Sequence, residues 1–191
     1  MVNFWRALRF TIVFAVLLGF VYPLCVTGIG NLLFPYQAQG SMVTWRGRIV
    51  GSELIAQMTT VPWLFHPRPS AVNYAANNSG GSNLGPTNPA LIAEIHHNLQ
   101  VVERQNPGIA VSQIPTDMVE SSASGLDPDI SLQDAFLQVP RIARASGLSP
   151  IYLRQLITNS TTGRTLGIWG EPMVNVMQLN MAIVKQIGTR R

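Results

Sequence analysis

FTIVFAVLLGFVYPLCVTGIGNLLF, residues 10–34, lies within a stretch from Phe10 to Trp45 that contains no charged side chain. A helix needs about 20 apolar residues to cross the hydrocarbon core of a bilayer. The segment therefore predicts a transmembrane helix over residues 10–34, with residues 1–9 on one side of the membrane and residues 35–191 on the other. No other part of the sequence is as long and as apolar, so we expect a single span.

Charge predicts the orientation of this span. Arg6 and Arg9 precede it, and no acidic residue does. Because basic residues resist translocation, residues 1–9 are expected in the cytoplasm and residues 35–191 outside it. The predicted location is a bacterial inner membrane, with the domain in the periplasm.

Two other interpretations of the segment remain open at this stage. A cleaved signal peptide could end at Ala38-Gln-Gly40, although the apolar core of a signal peptide runs for only about 7–15 residues. A lipoprotein signal could end before Cys25, although the bulky Tyr22 and the rigid Pro23 stand where such signals need small residues.

Several residues of the span predict contact with partner helices. Pro23 removes a backbone donor and is expected to kink the helix, and glycine lets a second helix approach closely. Spacings of four residues place Gly19, Pro23 and Thr27 on one face, and Tyr22 adds a polar group. The alternative is a lone anchor that contacts only lipid.

The composition of the remaining chain limits the functions that it can have. The single cysteine, Cys25, lies in the span, so residues 35–191 form no disulfide among themselves. This fits a bacterial envelope protein, because about 150 residues can bury an adequate core without one. Basic and acidic residues nearly balance after residue 40, and no basic run is interleaved with aromatic residues. Nucleic-acid binding is therefore not expected.

The elements predicted after the span are mixed and lack βαβ regularity, which favours one α+β domain. Helices are predicted from Pro89 to about Asn106, from Ser131 onward with a kink or break at Pro140, over 150–158, and over 174–187. A hairpin or a bent extended segment is predicted around Arg46-Gly-Arg48, with 54–56 buried, and extended or strand-like segments are predicted over 61–65, 109–114 and 166–168. The segments 70–89 and 115–128 are expected to be irregular.

Catalytic and metal-binding patterns are not evident in the sequence. His96 and His97 are adjacent on a helix, about 100° apart, and cannot share one metal ion. His66 has no cysteine or carboxylate cluster beside it, so no metal site is expected. The G-x-S-x-G pattern of hydrolases is also absent.

Two loops rich in small residues are the candidate interaction sites. The first loop, around Gly80–Asn88, could cradle a phosphate at a helix N-terminus, but Gly85 is followed by proline and not by the lysine of a P-loop. The alternative is that the glycines only give this loop its backbone shape. The second ends in Asp127 and Asp129, which either act on ions or shape a turn with Pro128 ahead of the helix at Ser131. The candidate residues are Gly80, Gly81, Ser82, Asn83, Gly85 and Asn88 in the first loop and Ser124, Gly125, Asp127 and Asp129 in the second.

Nine short motifs, taken in order, resemble the C subunit of the bacterial Kdp potassium-transporting ATPase, the KdpC family. Each motif alone has little specificity, but their order is highly specific, and the resemblance runs from about residue 4 to residue 187. The motifs are YPL at 22–24, GS at 40–41, GSELIAQ at 51–57, FHPRPSA at 65–71, SGGSNLGPTN at 79–88, PTDMV at 115–119, SSASGLDPDIS at 121–131, QVPRIA at 138–143 and EPMVNVMQLN at 171–180.

The resemblance implies an accessory, non-catalytic subunit of an ATP-driven, high-affinity potassium uptake complex. Its implied partners are a channel-like potassium-binding subunit, a P-type ATPase subunit and a small single-span subunit, which together handle K⁺ and ATP with Mg²⁺. No cofactor is expected on this chain. Two roles remain open: assembly of the complex, with Asp127 and Asp129 near the ion entrance, or nucleotide binding that raises the ATP affinity of the pump. The second role requires a cytoplasmic domain and conflicts with the predicted orientation.

Overall fold

The computed structural model describes residues 2–188, and the chain divides into two compact units, Met1–Val50 and Gly51–Arg191. The architecture is one long apolar N-terminal helix followed by a domain of helices and short strands. This confirms the predicted α+β class with a single long N-terminal helix. The side of the membrane on which the domain lies stays a prediction.

The first unit is built around a continuous helix. It consists of α1 (Val2–Val16), a π-helical turn (Leu17–Val21) and α2 (Tyr22–Leu33). The window Asn3–Leu33 has a mean hydropathy of 2.4 and none of it is buried, so it is long and apolar enough to cross a membrane. The wide turn ends at Val21, two residues before Pro23. A proline clashes with the carbonyl four residues earlier, and a π turn is one way for a helix to relieve that clash.

A short helix and a hairpin follow. α3 spans Pro35–Ala38, and the strands β1 (Met42–Trp45) and β2 (Arg48–Ser52) pair with each other. Arg46 and Gly47, between them, have φ of +49° and +77°. Two positive φ values match the tight turn that suits the right-handed twist of paired strands. The predicted hairpin around Arg46-Gly-Arg48 is confirmed.

Over residues 51–188, the second unit has four α-helices and a three-stranded antiparallel sheet of order β3-β5-β4. Ile130 pairs with Val174, and Val174 pairs with Thr161 on the other side. The elements are α4 (Pro89–Gln105), two 3₁₀ turns (Val111–Gln113 and Thr116–Met118), β3 (Asp129–Ser131), α5 (Leu132–Ser146), α6 (Pro150–Asn159), β4 (Thr161–Thr162), β5 (Met173–Asn175) and α7 (Val176–Gly188).

The core of this unit lies between α5, α6, α7 and the small sheet. Burying one large apolar side chain fully contributes about 1.5–3 kcal/mol, so this cluster dominates the stability of the unit. Its members are Phe65, Ile130, Ala135, Val139, Ile142, Leu148, Leu153, Ile157, Val174, Val176, Leu179 and Ile183.

Several sequence predictions were wrong in detail. The segment 109–114 contains the 3₁₀ turn Val111–Gln113 and no strand, and residues 166–168 form a tight turn closed by a single bridge between Thr165 and Trp169. Pro140, which is exposed, lies inside α5 and does not break it, so of the two predicted effects only the kink stays a prediction. In the segment 54–56, Ala56 is buried but Leu54 is exposed. The helix predicted from residue 174 begins at Val176, because Met173–Asn175 belongs to the sheet.

Candidate functional site

The extended segment Phe65–His66 is held by the side-chain amides of two helices. Phe65 N–H donates to Asn180 Oδ1 (2.7 Å), and Asn180 Nδ2 donates back to the carbonyl of Phe65 (2.9 Å). Gln138 pairs with His66 in the same way: its Oε1 accepts from His66 N–H (2.8 Å), and its Nε2 donates to the carbonyl of His66 (3.0 Å). Each amide thus satisfies one backbone donor and one backbone acceptor, as a neighbouring strand would. We call this arrangement the amide clasp.

Gln138 also belongs to a buried polar row on α5. Gln138 Nε2 donates to Asp134 Oδ1 (2.7 Å), Arg141 Nη2 donates to Gln138 Oε1, and Arg141 Nη1 donates to the carbonyls of Pro62 (2.6 Å) and Leu64 (3.0 Å). The spacing of four and then three residues puts the row on one helix face. Its partners are groups of the domain itself, so the row fixes the segment 62–66 in place.

Burial shifts the proton affinities of this row. Asp134 is only 1% exposed, and burial raises its pKa to about 8, against the opposing effect of the Gln138 hydrogen bond. Burial also lowers the pKa of Arg141 to about 10 and, together with the Arg141 charge, lowers the pKa of His66. The His66 ring nitrogens lie 3.2 Å from Gln105 Oε1 and 3.1 Å from the carbonyl of Val61. His66 is therefore a hydrogen-bonded structural histidine.

The two loops that the sequence singled out separately pack against each other. Gly80 N–H donates to the carbonyl of Ser124 (2.8 Å). A Cβ added at Gly81 would lie 2.9 Å from the carbonyl oxygen of Ala123. Gly125 has a φ of +67°, and a Cβ there would lie 2.7 Å from the carbonyl oxygen of Gly80. Close backbone approach thus explains Gly81 and Gly125, whereas a Cβ at Gly85 would meet nothing within 4 Å.

The N-terminus of α4 has little capacity left for a phosphate. Asn88 caps the helix, since its Oδ1 accepts from Ala90 N–H at 2.9 Å, as the sequence predicted. Pro89 has no N–H to offer. In the loop before it, Ser82 Oγ lies 3.5 Å from Leu84 N, and Asn83 adopts a φ of +54°. The first loop is therefore shaped mainly by contacts within the domain.

Asp127 precedes β3 and Asp129 begins it, and both carboxylates have partners in the domain. Arg68 forms a salt bridge with Asp127 Oδ2 (3.2 Å), and Asp127 Oδ1 accepts from Asp129 N–H (3.1 Å). Asn175 Nδ2 donates to Asp129 Oδ1 (3.1 Å), and burial raises the pKa of Asp129. Both carboxylates border an open cleft of about 570 Å³. Their hydrogen bonds shape the turn ahead of α5, which Ser131 caps by accepting from Asp134 N–H.

The second loop and the span complete the candidate residues. Ser124 Oγ accepts from Leu126 N–H at 3.1 Å. Gly19, Tyr22, Pro23 and Thr27 all lie on the exposed surface of the apolar helix, and a Cβ at Gly19 would meet nothing within 4 Å. Among residues 2–188, no three His, Cys, Asp or Glu side chains are grouped to hold a metal ion. The functional roles assigned to the candidate residues stay predictions.

Sequence reasoning missed the amide clasp. Gln138 and Asn180 lie 72 and 115 residues from their partners, and nothing local marks an amide that bonds to a distant backbone. The only signal was that both residues fall within the nine motifs, as Phe65 and His66 do.

Comparisons with known proteins identify the family. The family model described as "K+-transporting ATPase, c chain" matches residues 4–185. A protein of Caldanaerobacter subterraneus named potassium-transporting ATPase KdpC subunit is 50% identical over 182 residues, which cover 95% of this chain and 94% of that protein. Proteins of the same name from Rhodopseudomonas palustris (46% over 181 residues, 87% and 89% covered) and Methylorubrum extorquens (45% over 192 residues, 93% and 94% covered) are also similar. The resemblance carried by the nine motifs is thereby confirmed, and the chain belongs to the KdpC family.

Proposed function

We propose that this chain is a membrane-anchored, non-catalytic subunit of an ATP-driven potassium uptake pump, and that it acts in assembling and stabilising the pump. Its relatives are named as subunits of a potassium-transporting ATPase. The observation that carries the proposal is the unburied apolar helix Asn3–Leu33, attached to a domain whose conspicuous polar groups bond within the domain. Such a chain is suited to holding partners together.

The proposed partners are a channel-like potassium-binding subunit, a P-type ATPase subunit and a small single-span subunit. In this scheme they bind K⁺ and ATP with Mg²⁺. The apolar helix spans the bacterial inner membrane, and Gly19, Tyr22, Pro23 and Thr27 face partner helices. Glycine lets helix backbones approach closely in a bilayer, where packing and hydrogen bonds drive association.

The charge pattern supports an extracytoplasmic domain. Arg6 and Arg9 stand before the apolar helix, and no acidic residue accompanies them. A domain outside the cytoplasm has no access to cytoplasmic ATP. In addition, the Gly80 and Ala90 amides, which a phosphate cradle would use, already donate within the domain. Both observations favour the assembly role over the alternative of regulatory nucleotide binding.

Chemical labelling tests the orientation on which this choice depends. A Ser82→Cys variant in a Cys25→Ser background places one thiol in the first loop, and Cys25→Ser alone is the matched control. We expect a membrane-impermeant thiol reagent to label Ser82→Cys in intact cells whose outer membrane has been permeabilised. Labelling only after lysis would place the domain in the cytoplasm and favour the nucleotide-binding role.

A further inference from the structure

The net positive charge of the chain is concentrated beside the apolar helix. The chain has 13 basic and 9 acidic residues, and its first acidic residue is Glu53. Arg6 and Arg9 lie before the apolar run, and Arg46 and Arg48 follow it. Because the basic and acidic residues from Glu53 onward balance, the formal net charge of +4 is carried entirely by these four arginines. Two of them belong to the hairpin of β1 and β2 and its turn.

Hydrogen bonds hold the start of this hairpin beside the end of the apolar helix. Ser41 N–H donates to the carbonyl of Tyr36 (3.0 Å), and Tyr36 OH donates to the carbonyl of Ser41 (3.2 Å). Tyr36 follows closely after Leu33, the last residue of α2. A strand rises about 3.3 Å per residue, so Trp45 lies at most about 13 Å along the strand from Ser41. When the apolar helix spans a membrane, the hairpin therefore lies close to the bilayer surface.

The arginines of the hairpin are exposed and are not neutralised by acidic side chains. Arg46 and Arg48 are both exposed, and in the part of the chain that the structure describes no carboxylate lies within salt-bridge distance of either guanidinium group. The Arg46 guanidinium lies over the ring of Trp45, 5.7 Å from its centroid. The strands also expose large apolar side chains, since Met42 is 47% exposed and Ile49 67%. The hairpin thus presents positive charge and apolar surface together.

This combination matches the chemistry of an anionic phospholipid. A guanidinium group presents a planar fork of donors that suits phosphate oxygens. Tryptophan is enriched at membrane–water interfaces, where its ring sits at the level of the headgroups. Exposed apolar side chains are stabilised at the boundary between headgroups and acyl chains. A soluble phosphate would satisfy only the arginines and would leave the apolar side chains in water, so a lipid is the better match.

We propose that the β1–β2 hairpin binds the headgroup of an anionic phospholipid, with Arg46 and Arg48 on the phosphate and Trp45 at the membrane–water interface. The lipid belongs to the leaflet on the side of the soluble domain. A zwitterionic lipid is a weaker ligand, because its amine neutralises the charge of its phosphate. The site goes beyond the assembly role and does not depend on it, since only the span and the hairpin form it.

Fluorescence quenching of Trp45 tests the lipid site. The full chain, with Trp5, Trp63 and Trp169 replaced by phenylalanine, is reconstituted in nanodiscs that contain phosphatidylcholine and phosphatidylglycerol in equal amounts. One of the two lipids carries bromine atoms near the glycerol end of its acyl chains. We expect brominated phosphatidylglycerol to quench Trp45 more strongly than brominated phosphatidylcholine. Comparing the wild-type chain with Trp45→Phe gives the same contribution by difference in a chain that keeps its other tryptophans.

Variants of the two arginines test the cause of this preference. In Arg46→Gln/Arg48→Gln the enrichment of phosphatidylglycerol around Trp45 should fall about fivefold for each arginine removed, as expected for a basic residue near an anionic surface. Arg46→Lys/Arg48→Lys keeps the positive charges and should keep most of the preference, which separates loss of charge from a change in the turn. Arg104→Gln, at an exposed arginine of α4, is the matched control and should leave the preference unchanged.

Two results would overturn the proposal. Equal quenching of Trp45 by the two brominated lipids would place the hairpin at the bilayer without any selection of an anionic headgroup. No quenching by either lipid would place the hairpin in water, away from the membrane surface. Neither result bears on the assembly role, which is measured by the recovery of pump subunits.

Discussion

Replacing Asn180 with alanine removes both hydrogen bonds that hold Phe65 in the amide clasp. Phe65 is fully buried, and its N–H and carbonyl lie 2.7 Å and 2.9 Å from the Asn180 amide. A buried backbone group left without a partner costs about 1–3 kcal/mol. Two such groups predict a loss of about 2–6 kcal/mol in the free energy of unfolding.

Urea unfolding of the full chain in detergent measures this loss. Far-UV circular dichroism reports the helices, and tryptophan fluorescence, to which Trp63 packed against the core contributes, reports the domain. Gln178→Ala is the matched control on the same helix, because Gln178 is exposed, and substitutions of that kind usually change stability by less than about 0.5 kcal/mol. An Asn180→Ala variant that unfolds as the control does would refute the reasoning that the clasp is structural.

Three further predictions concern a buried carboxyl group, a glycine in the second loop and the apolar helix. Burial raises the folded-state pKa of Asp134 from 3.8 to about 8, so its contribution to stability is full below pH 3.8 and is lost as pH rises toward 8. Asp134→Asn should therefore gain stability relative to wild type over that range, by at most about 1.4 kcal/mol per pH unit. A stability difference that does not change with pH in urea titrations would contradict this prediction. Gly125→Ala should lower the free energy of unfolding by about 1–3 kcal/mol, since the residue has a φ of +67° and no room for a Cβ, whereas Gly85→Ala, which meets open space, should have a much smaller effect in the same measurement. Gly19→Leu or Thr27→Leu should reduce recovery of the pump complex about tenfold in mild detergent if these residues pack on partner helices, and unchanged recovery would favour a lone anchor.

The parts of the fold that local chemistry controls could be predicted from the sequence. The run from Phe10 to Phe34 predicts one long apolar helix, and the structure has one. Asn88 followed by Pro89 predicts the start of α4, and Ser131 predicts the start of α5. In each case the signal and the structure lie within a few residues of each other.

The small sheet could not be predicted. Its strands are two or three residues long, as in Thr161–Thr162 and Asp129–Ser131, so they are too short to show an alternating pattern of apolar residues. What defines them is pairing between segments far apart in sequence, such as Ile130 with Val174. The strand predicted over 109–114 shows the opposite error, because alternation alone does not provide a pairing partner.

The candidate site was predictable in its residues but not in its arrangement. Gly81 and Gly125 stood out as parts of two unusual loops, yet only the structure brings the backbones of those loops together. The salt bridge of Arg68 with Asp127 joins residues far apart in the chain. It also changes the interpretation of Asp127, because a carboxylate paired with an arginine is less available to attract potassium from solution.

Assembly of the pump with and without this chain tests the proposed assembly role. The pore and ATPase subunits are expressed together, with this chain present or deleted, and captured through a tag on the pore subunit in mild detergent. We expect deletion of this chain to reduce sharply the amount of ATPase subunit recovered with the pore subunit. Full recovery of the pore and ATPase subunits, with only a weaker apparent affinity of the pump for ATP, would contradict the assembly role and support regulatory nucleotide binding.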